Sequence, residues 1–78
     1  MTLSGTLSIP AGVSQHSFTE LDWPVSPTRI IGTIIMPGGG DLIHAHIIKD
    51  SITTDGFDIA LSGETPDANY EFNYIAVF

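Results

Sequence analysis

Thr53-Thr54-Asp55-Gly56-Phe57-Asp58-Ile59-Ala60-Leu61-Ser62 is the stretch that decides the fold. Asp55-Gly56 is a turn dipeptide, and the run behind it alternates. Phe57, Ile59 and Leu61 point one way, Asp58 and Ala60 the other. A period of two over a short run, entered from a tight turn, marks a half-buried β-strand. The same punctuation recurs along the whole chain. Gly, Pro and Asp clusters cut short apolar runs at regular intervals, and no stretch carries the helical period.

Working outward, the spacing predicts a strand over 69–77, with Tyr70, Phe72, Tyr74 and Ala76 on one face. Upstream it predicts strands over 42–48, with a run-on toward Ile52, and over 28–36. A strand over 13–21 is anchored by Phe18 with His16 on the same face, and one over 3–9 carries Leu3, Leu7 and Ile9. Residues 22–27 read as a loop, because Pro24 and Pro27 remove ladder donors and restrict their predecessors. Strands at this spacing, with no internal repeat and no linker, predict one all-β domain over 1–78, a six-stranded antiparallel β-sandwich.

A chain of 78 residues sits where a single core barely suffices. It has no Cys, so disulfides are excluded, and the remaining supports are a good core, a metal or association. Association is favoured, since 42% of residues are hydrophobic and only 14% charged. The strand over 28–36 points the same way. It is apolar on both faces, Ile31 and Ile35 on one, Ile30, Ile34 and Met36 on the other, which predicts burial on both sides. In a two-layer protein one side normally meets solvent. The second buried face therefore predicts a subunit interface at Ile30, Ile34 and Met36, with Ile34 central.

The net charge is −7, and Arg29 and Lys49 are the only fixed cations. A phosphate-binding surface needs clustered Lys and Arg, so neither nucleic acid nor an anionic membrane is an expected partner. The apolar runs over 30–36 and 42–48 are too short to span a bilayer. Met1-Thr2-Leu3-Ser4-Gly5 lacks the positive region of a signal peptide, so synthesis in a cytoplasm is expected.

Catalysis lacks parts in this sequence. There is no Cys nucleophile and no Gly-x-Ser-x-Gly elbow, and Gly38-Gly39-Gly40 lacks the Lys-Ser/Thr of a phosphate loop. The expectation is a protein that is not an enzyme. The sharpest local signal is His44-Ala45-His46, whose imidazoles share one side of a strand. Three copies on a threefold axis would offer six nitrogens, an octahedral cage suited to iron or another divalent transition metal. The preferred alternative is ordinary packing and hydrogen bonding beside Leu42 and Ile48. A second cluster, Trp23, Asp67, Asn69 and Tyr70 with Tyr74, has the stacking faces and polar groups for a glycan. Here too packing is preferred, with the strand aromatics inside and Trp23 capping one end.

Several of these stretches, taken together, resemble a known family. They are Pro27-Thr28-Arg29-Ile30-Ile31, the Ser51–Ser62 hairpin, and Asn69-Tyr70-Glu71-Phe72-Asn73-Tyr74-Ile75-Ala76. The chain resembles small β-sandwich modules of bacteriophage virion proteins, of the head-decoration and tail-fibre-tip kinds. It is similar also to H-type lectins, which share the Thr-x-x-Gly-Phe hairpin and the closing Ile-Ala pair. The resemblance implies a homotrimer, and His44 and His46 match the His-x-His pairs with which such fibre tips hold metal on a threefold axis. It implies a noncatalytic structural protein located in the virion. The chain begins at its own Met and has no shaft repeats, so a capsid decoration or head accessory protein is expected. Its partners would be further copies of itself and other virion proteins such as the major capsid protein. The alternative it implies is a carbohydrate-binding, lectin-like receptor module of a tail fibre or spike.

Overall fold

Alternation becomes two three-stranded antiparallel sheets in a computed structural model that describes every residue, Met1–Phe78. The strands are β1 (Thr2–Ser8), β2 (Gln15–Phe18), β3 (Arg29–Ile35), β4 (Ala45–Ile47), β5 (Phe57–Leu61) and β6 (Glu71–Val77). The first sheet has the order β1-β6-β3 and the second β2-β5-β4. There is no α-helix, only a short 3-10 turn at Lys49–Ser51. The arrangement is all-β and compatible with a small β-sandwich.

Register decides which side chains meet. In the first sheet β6 lies between its neighbours, and its inward residues form three rows: Leu3–Ala76–Ile30, Gly5–Tyr74–Gly32 and Leu7–Phe72–Ile34. The bare position at Gly32 is required, because a Cβ there would stand 2.5 Å from the Phe72 ring and 2.7 Å from the Asn73 carbonyl oxygen. In the second sheet Phe18–Phe57 and His16–Ile59–Ile47 are the corresponding rows.

These rows, joined by Ile9, Trp23, Ile43 and Tyr70 from outside the strands, build a core of Ile9, Phe18, Trp23, Ile30, Ile43, Phe57, Ile59, Tyr70, Phe72, Tyr74 and Ala76, while Leu3 at the sheet edge stays 40% exposed. Its aromatic rings touch at specific angles. Phe57 lies 5.2 Å from Phe18, 5.9 Å from Phe72 and 5.8 Å from Tyr74 between ring centroids. Each such side chain contributes about 1.5–3 kcal/mol through burial, and well-angled aromatic pairs add about 0.5–1.5 kcal/mol.

Three expected strands come out differently. The strand predicted over 13–21 is reduced to β2, because the chain leaves the sheet after Phe18 to run along the 53–56 turn. Leu21 N–H donates to Asp55 O at 2.8 Å and Trp23 N–H to Thr54 O at 2.7 Å. Glu20 and Asp22 take left-handed conformations with φ of 67° and 51°, an uncommon cost that turns Trp23 inward. Gly56 allows this approach, since a Cβ there would collide with the Phe18 carbonyl oxygen. The strand predicted over 42–48 is reduced to β4. It ends because Ser51 Oγ caps a turn, donating to Ile48 O and accepting from Asp58 N–H at 2.8 Å. The strand over 28–36 is not buried on both faces within the chain. Ile30 is buried and Ile34 half-buried, but Ile31 and Ile35 remain 56% and 42% exposed.

Candidate functional site

The free edges of the two sheets, β3 and β4, approach each other and leave a cleft of about 360 Å³. Ile34 and Ile43 supply apolar lining, and Thr33, His44, His46 and Ser62 supply polar groups. The backbone here is fixed. His44 N–H donates to Ser62 Oγ at 2.9 Å, and Ser62 N–H returns a bond to His44 O at 2.9 Å. His44 and His46 are both exposed, and strand periodicity puts them on one side of the chain. No cluster of three or more His, Cys, Asp or Glu side chains is assembled, so within one chain the metal-ligand donors at this cleft are the two imidazoles. Two imidazoles hold a transition metal only with further ligands from water or another copy.

The glycan candidates are placed quite differently. Trp23 is buried, stacked on Phe57 at 6.2 Å with its edge toward Tyr74 and Phe78 at 6.0 Å each. Tyr70 is fully buried, and its hydroxyl donates to Asp41 O at 2.7 Å. Burial, then the charges of Asp41 and Asp67, push the Tyr70 phenol above its ordinary range. Asp67 Oδ1 accepts from Asn69 N–H at 2.8 Å, which makes this pair a local turn. Neither ring offers a face to a sugar. Trp23 and Tyr70 are core residues because their loops fold back over the open ends of the strands.

The interface candidates divide. Ile30 and Ile34 face the core, so little of Ile30 is left for a partner, while Met36, just past β3, is 37% exposed. The apolar residues that do face outward on this sheet are Ile31, Ile35 and Ile75, exposed by 56%, 42% and 44%, and the half-buried Val77. The outward rows are Thr2–Val77–Arg29, Ser4–Ile75–Ile31, Thr6–Asn73–Thr33 and Ser8–Glu71–Ile35. The signal for this face was the opposite phase of the same two strands. Which phase pointed outward depended on where Phe72 and Tyr74 packed.

Compared with protein-family models, with curated proteins and with solved structures, the chain matches none of them.

Proposed function

We propose that this protein is a noncatalytic structural component of a phage virion, of the capsid-decoration or head-accessory kind. It works by associating with copies of itself, as a homotrimer, and with other virion proteins such as the major capsid protein. The observation that carries the reading is the outward face of the first sheet, where Ile31 and Ile75 stand exposed side by side on adjacent strands, with Ile35 exposed farther along β3 beyond the Thr33–Asn73 row. Large apolar side chains left exposed in this way on so small a molecule favour an interaction surface. The hairpin and closing-strand resemblance supports the virion setting.

The test is direct. An antibody against the purified protein should label capsids in purified particles from the host that carries the gene. Label on the tail tip instead would move the protein to a fibre, and particles without label would overturn the reading.

The second reading, a carbohydrate-binding receptor module, is supported by the cleft beside His44, His46 and Ser62, which joins polar groups to an apolar lining. With Trp23 and Tyr70 inside, a glycan would have to be held there. A glycan array checks it: specific binding lost in His46→Ala favours the module, and a blank array removes it.

A further inference from the structure

The direction of the backbone groups along β3 and β4 follows from the bonds at the strand ends. Phe78 N–H donates to Met1 O at 2.9 Å, and Ile9 N–H to Tyr70 O at 3.0 Å. Successive residues of an antiparallel strand turn their N–H and C=O to opposite sides. The even-numbered residues of β6 therefore address β1, and Glu71, Asn73, Ile75 and Val77 address β3. Their partners Ile35, Thr33, Ile31 and Arg29 bond back to β6. Ile30, Gly32 and Ile34 turn their N–H and C=O to the open edge. In the second sheet Ser62 N–H donates to His44 O at 2.9 Å, and Ile48 N–H to Asp58 O at 3.0 Å. Ala45 and Ile47 consequently present theirs at the open edge of β4. No backbone bond joins the two edges.

Proteins blunt their sheet edges with short strands, Lys, Pro, bulges or a covering segment. The edge strand β4 is short, three residues. β3 is seven residues long, with no Pro, no Lys and its single charge at Arg29, the first residue. Of the edge strands β1, β3, β2 and β4, only β3 and β4 flank a cleft. We infer that the open edge of β3 takes up an extended segment of a partner protein as a fourth strand of the first sheet, its inward side chains seated in the cleft. This goes beyond the self-association proposed above, which uses the outward face of the same sheet.

The backbone selects the class of occupant. The unpaired groups of Ile30, Gly32 and Ile34 recur every two residues, about 6.8 Å apart. An extended main chain matches that repeat with its own alternating donors and acceptors. A sugar would meet the side chains of the cleft but not three backbone sites in register.

Charge and side-chain size narrow the segment further. Glu71 pairs with Ile35, and Asp41 O holds the hydroxyl of Tyr70, the residue before Glu71. Both carboxylates stand toward the Ile35 end of the edge, with Arg29 at the other end. An antiparallel segment, the arrangement of every ladder in this molecule, begins at the Ile35 end. Lys or Arg at its start faces the carboxylates, and aliphatic residues fall opposite Ile34, Gly32 and Ile30, toward the apolar lining at Ile34 and Ile43. A second copy of this chain fits less well. Its own β3 packs Ile30 and Ile34 against its own core, so it could pair with the edge but would leave the cleft unfilled.

The probe is the peptide acetyl-Lys-Lys-Val-Thr-Val-Thr-Val-amide, titrated into isotope-labelled protein and followed by NMR. At millimolar peptide or below, amide shifts should concentrate at Ile30, Gly32 and Ile34. Hydrogen exchange at those amides should slow several-fold, with Ile31 and Thr33, already bonded to β6, unchanged. N-methylation of the peptide's valines, whose N–H groups face the edge, should abolish binding. N-methylation of its threonines, whose N–H groups face away, should leave binding little changed. Ile34→Pro removes an edge donor and no ladder bond, a place where an edge strand tolerates Pro. It should weaken binding several-fold in protein that circular dichroism shows to be folded. No shifts at millimolar peptide, equal loss from the two methylation patterns, or shifts confined to the outward face would each overturn the inference. Shifts at Ile30, Gly32 and Ile34 that depend on protein concentration without peptide would assign the edge to a second copy and overturn it too. Capsid labelling is read separately, so failure here leaves the structural role standing.

Discussion

Ile30 and Ile31 are neighbours in sequence and opposites in structure. Ile30 is buried at 8% exposure between Ala76 and the core, while Ile31 stands 56% exposed beside Ile75. The same division runs along β6, where Phe72, Tyr74 and Ala76 are buried and Asn73 and Ile75 are not. An apolar side chain on the inward side helps to hold one chain together. The identical side chain one residue later contributes nothing to that chain's core, and its free energy is realised only when something covers it. Buried and exposed apolar side chains thus lie on opposite faces of the same strand.

The sharpest way to break this comparison is to truncate one residue from each face. Phe72→Ala should cost about 3–5 kcal/mol, enough to unfold a domain of this size in mild denaturant. Gly56→Ala tests the loop that closes the core at its Trp23 end. Its new Cβ would meet the Phe18 carbonyl oxygen, and a loss above about 2 kcal/mol is expected from such a backbone clash. A melting temperature equal to the parent's would show that the loop yields freely. Thr65→Val comes next. Thr65 is buried, and its hydroxyl donates to Pro10 O at 2.6 Å and accepts from Val13 N–H at 3.4 Å. Its loss should cost about 1–3 kcal/mol, read by urea unfolding.

Tyr70 adds a pH dependence. Its folded phenol titrates above the unfolded one, so the stabilisation is fully present below about pH 10 and is lost as pH rises through the folded value. Tyr70→Phe should cost about 1 kcal/mol at neutral pH and make the alkaline decline shallower. An unchanged alkaline limb would assign that decline to other groups. The smallest effect belongs to the outward face. Ile31→Ser, measured at high dilution where copies are separate, should change stability by less than about 0.5 kcal/mol, whereas at high concentration it should weaken association.

Much of this contrast was legible from residue order. The alternation in Phe57–Leu61 and in Tyr70–Ala76 reads correctly because both segments face the core over their whole length. Their register against neighbours then follows from antiparallel pairing. The strand over 28–36 was harder. Isoleucines on both phases give no indication of which phase is inside, and only Gly32 lying against the Phe72 ring decides it. Packing was the preferred reading for Trp23 and Tyr70, but what holds them inside was not legible, because it depends on long-range backbone bonds such as Trp23 N–H to Thr54 O and Ile9 N–H to Tyr70 O. His44-Ala45-His46 was visible at once as a same-side pair. That it borders a cleft against β3 was not, because the two edges are joined by no ladder.

By itself, then, the sequence determined the all-β class, the approximate strand positions and the inward phase of the closing strands, since period-two patterning and turn residues act over a few neighbours. Tertiary structure alone decided which isoleucines of β3 were left exposed, where the two histidines opened onto a cleft, and which distant backbone bonds hold Trp23 and Tyr70 in the core. Those outcomes depend on which distant surfaces compete for the same aromatic rings, and a local pattern carries no record of that competition.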